Sequence, residues 1–233
     1  MRQRMGFHGI LWAFIGFCGM TAPGQIDAAA VGLAGGKLHL HVGALAGPQY
    51  LKVRSILDDK KQTKKSTLGA EGVLAGAHLT GFYQFSDAFK LGLDLNGLWG
   101  TAKATYKDFG QAQRRLLIRA RESFGASLSP LYCNKDIAVG PTIGFVHRAF
   151  KATMTSHCNG SGAWDKHKAG FALGAIMNYQ MCDRLSLGLG FQHVWYPAFS
   201  FGTTGAGTPT YQNNTISLKP SFGTALVRLS YVL

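Results

Sequence analysis

After its first twenty residues the chain has no run of eighteen consecutive apolar residues, so it holds no helix long enough to cross a bilayer. Charge is scarce as well. Asp, Glu, Lys and Arg make up 15% of the residues, against about a quarter in soluble domains. Acid is the scarcer sign, with 11 Asp and Glu against 24 Lys and Arg. Cysteine is sparse, and none of the 4 stands in a CxxC or Cys/His spacing, which excludes the usual zinc modules. What remains is an apolar, aromatic chain rich in glycine, with 31 Gly and 46% hydrophobic residues. That balance suits strands that face lipid.

The first thirty residues read as an export signal. Arg2 and Arg4 form a basic head, and Ile10 to Met20 is an apolar run of 11 residues. A polar stretch then closes on Ala28-Ala29-Ala30, a small-x-small cleavage pattern. The run is too short to span a membrane as a helix. We expect residues 1–30 to be removed, taking Cys18 with them and leaving 31–233 as one domain. A net charge of +13 would ordinarily suggest nucleic acid. The export signal argues against that partner.

The rest alternates with a period of two, the signature of strands. Eight segments show it: about 37–46, 72–85, 88–99, 116–130, 137–149, 169–181, 185–195 and 218–233. Leu91, Leu93 and Leu95 share one face of the third, and Leu185, Leu187 and Leu189 one face of the seventh. The opposite parity carries glycine and polar residues, among them Gly43, Gly92, Asp94, Asn96, Gly125, Gly144, Gln192 and Arg228. Glycine weakens a strand, so its concentration on one parity indicates a narrow interior shared with longer polar side chains. A soluble ligand-binding barrel would show the reverse, apolar within and polar without. The pattern predicts an all-β fold: an eight-stranded antiparallel up-and-down transmembrane β-barrel.

The connections alternate in length. Three are tight, at Ser86-Asp87, Cys133 to Asp136 and Cys182 to Arg184. Four are long, at about 47–71, 100–115, 150–168 and 196–217. Short periplasmic turns and long outer loops are the asymmetry of outer-membrane barrels. Tyr83, Tyr132, Tyr179 and Tyr231 would form an aromatic girdle at the turns, with Trp99 and Trp195 near the outer interface. Glu122 breaks the pattern by falling on the lipid-facing parity, and a bulge near 119–123 is expected. Leu229, Tyr231 and Leu233 alternate to the end of the chain, as in a last strand that pairs with the first.

On these features the chain resembles the small eight-stranded outer-membrane proteins: the OmpA-type membrane domain, the Ail/OmpX-like proteins and the opacity-type surface antigens. The resemblance covers the whole of residues 31–233. Such barrels usually end on an aromatic; Tyr231 fits the position two before the end and Leu233 departs from the last. The resemblance implies a monomer in the outer membrane of a Gram-negative bacterium. Roles across the class include adhesion, immune evasion, lipid modification and small pores.

The basic outer segments carry the functional reading. Lys52, Arg54, Lys60, Lys61, Lys64 and Lys65 stand in the first, Lys103, Lys107, Arg114 and Arg115 in the second, and Lys151, Lys166 and Lys168 in the third. Cations there would meet lipopolysaccharide phosphates, or an anionic host ligand. The expected function is a surface-exposed structural or interaction protein, not an enzyme. The alternative is a narrow anion-preferring pore, because Lys90, Arg119, Arg121 and Arg228 would outnumber Asp94 in the lumen. Asp94 would pair with an arginine of the fourth strand. A lipid-modifying enzyme has only Glu122 and His193 to suggest it. His39, His41 and His78 share the lumen, but without a completing carboxylate or thiol they imply no metal, and no cofactor is implied. The apolar fourth segment, with Phe199, Phe201 and Tyr211, would be an adhesive tip or fold over the barrel mouth. Cys133 and Cys182, both at periplasmic turns, could form a disulfide in that oxidising compartment.

Overall fold

Alternation at period two leaves each segment with one apolar face, and the chain pairs its first stave with its last to close a ring. The computed structural model describes residues 37–59, 62–107, 115–156, 160–202 and 215–233. The expected signal peptide lies outside them. The strands are β1 (Lys37–Asp59), β2 (Gln62–Ser86), β3 (Phe89–Gly100), β4 (Ala102–Lys107), β5 (Arg115–Asn134), β6 (Ile137–Ser156), β7 (Gly160–Cys182), β8 (Leu185–Trp195), β9 (Phe199–Gly202) and β10 (Thr215–Val232). β3 and β4 both pair with β5, and β8 and β9 both pair with β10, so each pair is one interrupted stave. The result is a ring of eight antiparallel staves, closed by β1 against β10 from His41↔Val232 to Asp58↔Thr215. Leu233 N donates to Leu40 O at 2.9 Å, extending the closure to the last residue.

The three tight turns fall where the sequence places them, at Asp87–Ala88, Lys135–Asp136 and Asp183–Arg184. The outer face of the adjoining half is apolar. Leu91, Leu93 and Leu95, Ile143 and Phe145, Leu187 and Leu189, and Val227 and Leu229 all point outward and are exposed. Tyr132, Tyr179 and Tyr231 edge this band near the turns, while Trp99 and Trp195 edge it at the other end. A closed barrel with such a band spans a bilayer, since lipid leaves no other way to satisfy the strand backbone. The protein is an outer-membrane β-barrel.

The first and third of the expected long outer loops are largely strand, while much of the second and fourth lies outside the described residues. β1 runs on to Asp59 and β2 begins at Gln62; β6 reaches Ser156 and β7 starts at Gly160. The reason is local: Leu51, Val53 and Ser55 are buried while Lys52 and Arg54 are exposed, so strand alternation persists with charge on the outside. β1 has 23 residues, which at about 3.3 Å each is roughly 75 Å of strand. Tilted by about 45°, such a strand far exceeds an apolar band about 25 Å tall. The barrel therefore stands well clear of the outer leaflet.

The bulge expected near Glu122 is present. β5 and β6 shift register between Ala120↔Phe150 and Ser123↔Arg148, so Arg121 and Glu122 together oppose Ala149. One inserted residue inverts the parity of everything beyond it. Ser123, Ser127 and Ser129 face inward below the bulge, but Leu116, Ile118 and Ala120 face inward above it. Arg119 and Arg121, expected in the lumen, are consequently exposed on the outside. Glu122 lies at the upper edge of the apolar band and meets Arg121 Nε at 3.3 Å.

Candidate functional site

The outer surface above the apolar band is cationic. Lys103 on β4 stands opposite Arg119 on β5, and Arg119 stands opposite Lys151 on β6. Three cations thus lie abreast on neighbouring strands, ended by Asp165 opposite Lys151. Arg54 and Lys219 form a second like-charged pair where β1 meets β10. Directly opposed side chains have Cβ atoms about 4.5–5.5 Å apart, and like charges there repel. A solvated surface has no need of this register. A phosphate or sulfate group can bridge two cations so placed.

The candidate residues distribute as follows. Lys103 is exposed in the row. Lys107 continues the same strand parity, with its backbone opposite Arg115. The backbones of Lys64 and Lys65 stand on β2, opposite Leu57 and Ile56. Lys60 and Lys61 lie outside the described residues. Lys219 was not anticipated, because it is a single cation in an otherwise uncharged stretch; only the closing register brings it to Arg54.

The interior is built in two storeys. The lower one, level with the apolar band, holds a polar lattice between two small apolar clusters, Phe82, Leu131, Cys133 and Ile176 in one and Leu45, Leu74 and Leu98 in the other. Arg228 Nη2 and Thr80 Oγ1 both donate to Asp94 Oδ1, and Asn96 Nδ2 donates to Oδ2 at 2.9 Å. The hydroxyl proton of Thr80 is committed to Asp94, so Thr80 accepts from His78 Nδ1 at 3.0 Å. His78 Nε2 is then left to accept from Ser230 Oγ at 3.1 Å. Asp94 and Arg228 are inside as expected, but Asp94 pairs across the lumen with β10 rather than with β5, because the arginines of β5 are outside. A carboxylate does stand beside His78, at 3.5 Å, yet among the described residues no group of three metal-ligating side chains forms. Gly43 shows how tightly the storey is built: a Cβ there would lie 2.7 Å from His78 Nε2 and overlap the Leu229 carbonyl. Below, a cavity of about 310 Å³ opens at the turn end, lined by His39, His41, Gln84, Lys90 and Cys133 among others. Cys133 is buried inside and Cys182 is exposed; both thiols are free, so the pairing considered for them is not formed.

The upper storey is apolar. Leu51, Val53, Ile118, Phe150, Leu218 and Phe222 form one buried cluster, joined by Tyr196 and Phe199. Phe150 touches Tyr196, Phe199 and Phe222 with ring centroids 5.1, 5.3 and 6.0 Å apart. Of the apolar fourth segment, Phe199 folds into the barrel, whereas Phe201 and Tyr211 lie outside the residues whose side chains are described.

No family model and no curated protein sequence matches the chain. Solved structures resemble it in fold. Ail, the attachment invasion locus protein of Yersinia pestis, crystallised with the heparin analogue sucrose octasulfate, is 11% identical; 82% of this chain and 99% of that one are covered at a TM-score of 0.38. The outer-membrane protease OmpT of Escherichia coli is 7% identical, with 84% and 97% covered at 0.48. OprG of Pseudomonas aeruginosa is 9% identical, with 83% and 95% covered at 0.46. The expectation of a non-enzymatic protein is corrected by this set: OmpT is a protease, so barrels similar to this one include an enzyme.

Proposed function

We propose that the protein is a surface-exposed binding protein of the outer membrane whose cationic face engages phosphate or sulfate groups. Outer-leaflet lipopolysaccharide is the first partner on this reading, and a host anionic ligand the second. The row Lys103–Arg119–Lys151 carries the proposal. Lys103 follows the outward-facing Trp99 on the same stave, which on this reading brings the row within reach of lipid headgroup phosphates. The rigid strands hold the charges in register, so binding costs little ordering entropy. A membrane-anchored scaffold displaying fixed cations is the mechanism.

Surface plasmon resonance with the barrel in detergent micelles tests this. Immobilised heparin and vesicles containing diphosphoryl lipid A serve as the two anionic probes. The variant with Lys103, Arg119 and Lys151 all changed to Gln should bind at least ~10-fold more weakly, and its affinity should fall less steeply with salt. Unchanged binding to both probes would overturn the reading. Loss on lipid A alone would identify the lipid as the partner, and loss on heparin alone the glycan.

A further inference from the structure

We propose that the barrel interior binds a small monovalent anion of halide size between Arg148, Gln49 and Tyr196. The inference is independent of the outer cationic face. Arg148, on β6, is only 2% exposed. It reaches across the lumen to β1, the stave diametrically opposite, where Nη1 donates to Gln49 Oε1 at 3.1 Å. Nη2 donates to Ser123 Oγ at 3.2 Å, and the guanidinium lies 4.2 Å from the centre of the Phe222 ring.

None of these contacts neutralises the charge. Arginine keeps its proton in a protein, so Arg148 cannot escape burial by titrating. The face of Phe222 offsets part of the cost of desolvation, but a buried cation needs a counter-charge. The side chains described offer none. Asp94 is held by Arg228, while Glu71, Glu122 and Asp165 stand on the outward parity. The lower storey pairs its arginine with an aspartate; among the described side chains the upper one gives its arginine no acid.

The unpartnered atoms show what is missing. Arg148 Nε, Gln49 Nε2 and Tyr196 Oη are buried without a hydrogen-bond partner. Gln49 is 3% exposed and Tyr196 2%. All three can donate, and of them only the Tyr196 hydroxyl can also accept. A water molecule would add two hydrogens to a site already short of acceptors, whereas an anion supplies both acceptance and charge. Phe150, Tyr196 and Phe222 pack against one another beside it, with ring centroids 5.1–6.0 Å apart. A divalent anion would exceed the single positive charge present.

Crystals of the refolded barrel soaked in bromide give the direct test. An anomalous peak at hydrogen-bond distance from Arg148 Nε and Tyr196 Oη is expected. Bromide peaks confined to exposed lysines, with none at Arg148, would overturn the proposal. In solution, the temperature at which the folded band converts to the unfolded band on gels should rise with bromide over gluconate at equal ionic strength. Arg148→Met should abolish that rise, while Lys37→Gln should retain it. A rise that survives in Arg148→Met, or no difference between the two salts in the parent protein, would contradict the site even if other variants fail to fold.

Discussion

Below Tyr50 and above it, β1 is built inside out. In the lower half, Val42, Ala44 and Ala46 face lipid while Gly43 faces a polar interior. In the upper half, Lys52 and Arg54 face outward while Leu51 and Val53 are fully buried. The same inversion separates Leu93 from Lys103 along the stave of β3 and β4, and Phe124 from Arg119 along β5. The ladder between β1 and β2 is continuous across the boundary, while the solvent outside changes. In lipid the barrel is apolar without and can hold an ion-paired lattice within. Where it meets water, it takes the arrangement of a soluble barrel, with an apolar core.

The largest effects should come from breaking each interior in its own way. Asp94→Asn leaves Arg228 buried without its carboxylate and should cost about 3–5 kcal/mol of stability. Phe150→Ala opens the apolar storey and should cost a similar ~3–5 kcal/mol. Urea titration of the barrel in lipid vesicles reads both. If Asp94→Asn were silent, the polar storey would not be the ion-paired lattice described here.

The next test compares the outer faces. Leu93→Arg puts a cation in the apolar band and should destabilise by about 2–4 kcal/mol. Thr105→Arg, outward on the projecting part, should stay within about 0.5 kcal/mol. Equal costs at the two positions would erase the boundary. The smallest effect concerns the cationic row. Arg119→Glu replaces two like-charged oppositions with two favourable ones and should stabilise by about 0.2–1 kcal/mol. The same change should weaken binding to heparin or lipid A, so stability and binding move in opposite directions.

Much of the lower barrel is legible in the sequence, because a uniform lipid exterior enforces a strict alternation of large apolar and small or polar residues. Eight staves, the three tight turns and the tyrosine edge follow from it. Even the bulge leaves a trace, in Glu122 standing on the wrong parity. The upper barrel is harder to read. Lys52 and Arg54 look like loop residues, since charge there reports water and not the absence of a strand. Which cations oppose which depends on register across the bulge, and Arg54 meets Lys219 only through closure of β1 on β10. The Arg148 site is the least legible. Its members come from β1, β6 and the residue after β8, and no local pattern connects them.

The boundary itself can be measured by spin-label accessibility in lipid vesicles, with nitroxides placed one at a time at Leu91, Leu93, Leu95, Trp99, Lys103 and Thr105 after the native cysteines are replaced. The account predicts collision with oxygen from Leu91 to Leu95, a crossover at Trp99, and collision with a water-soluble nickel chelate at Lys103 and Thr105. Oxygen-dominated collision at Lys103, or nickel access at Leu93, would contradict a barrel that inverts where it leaves the membrane.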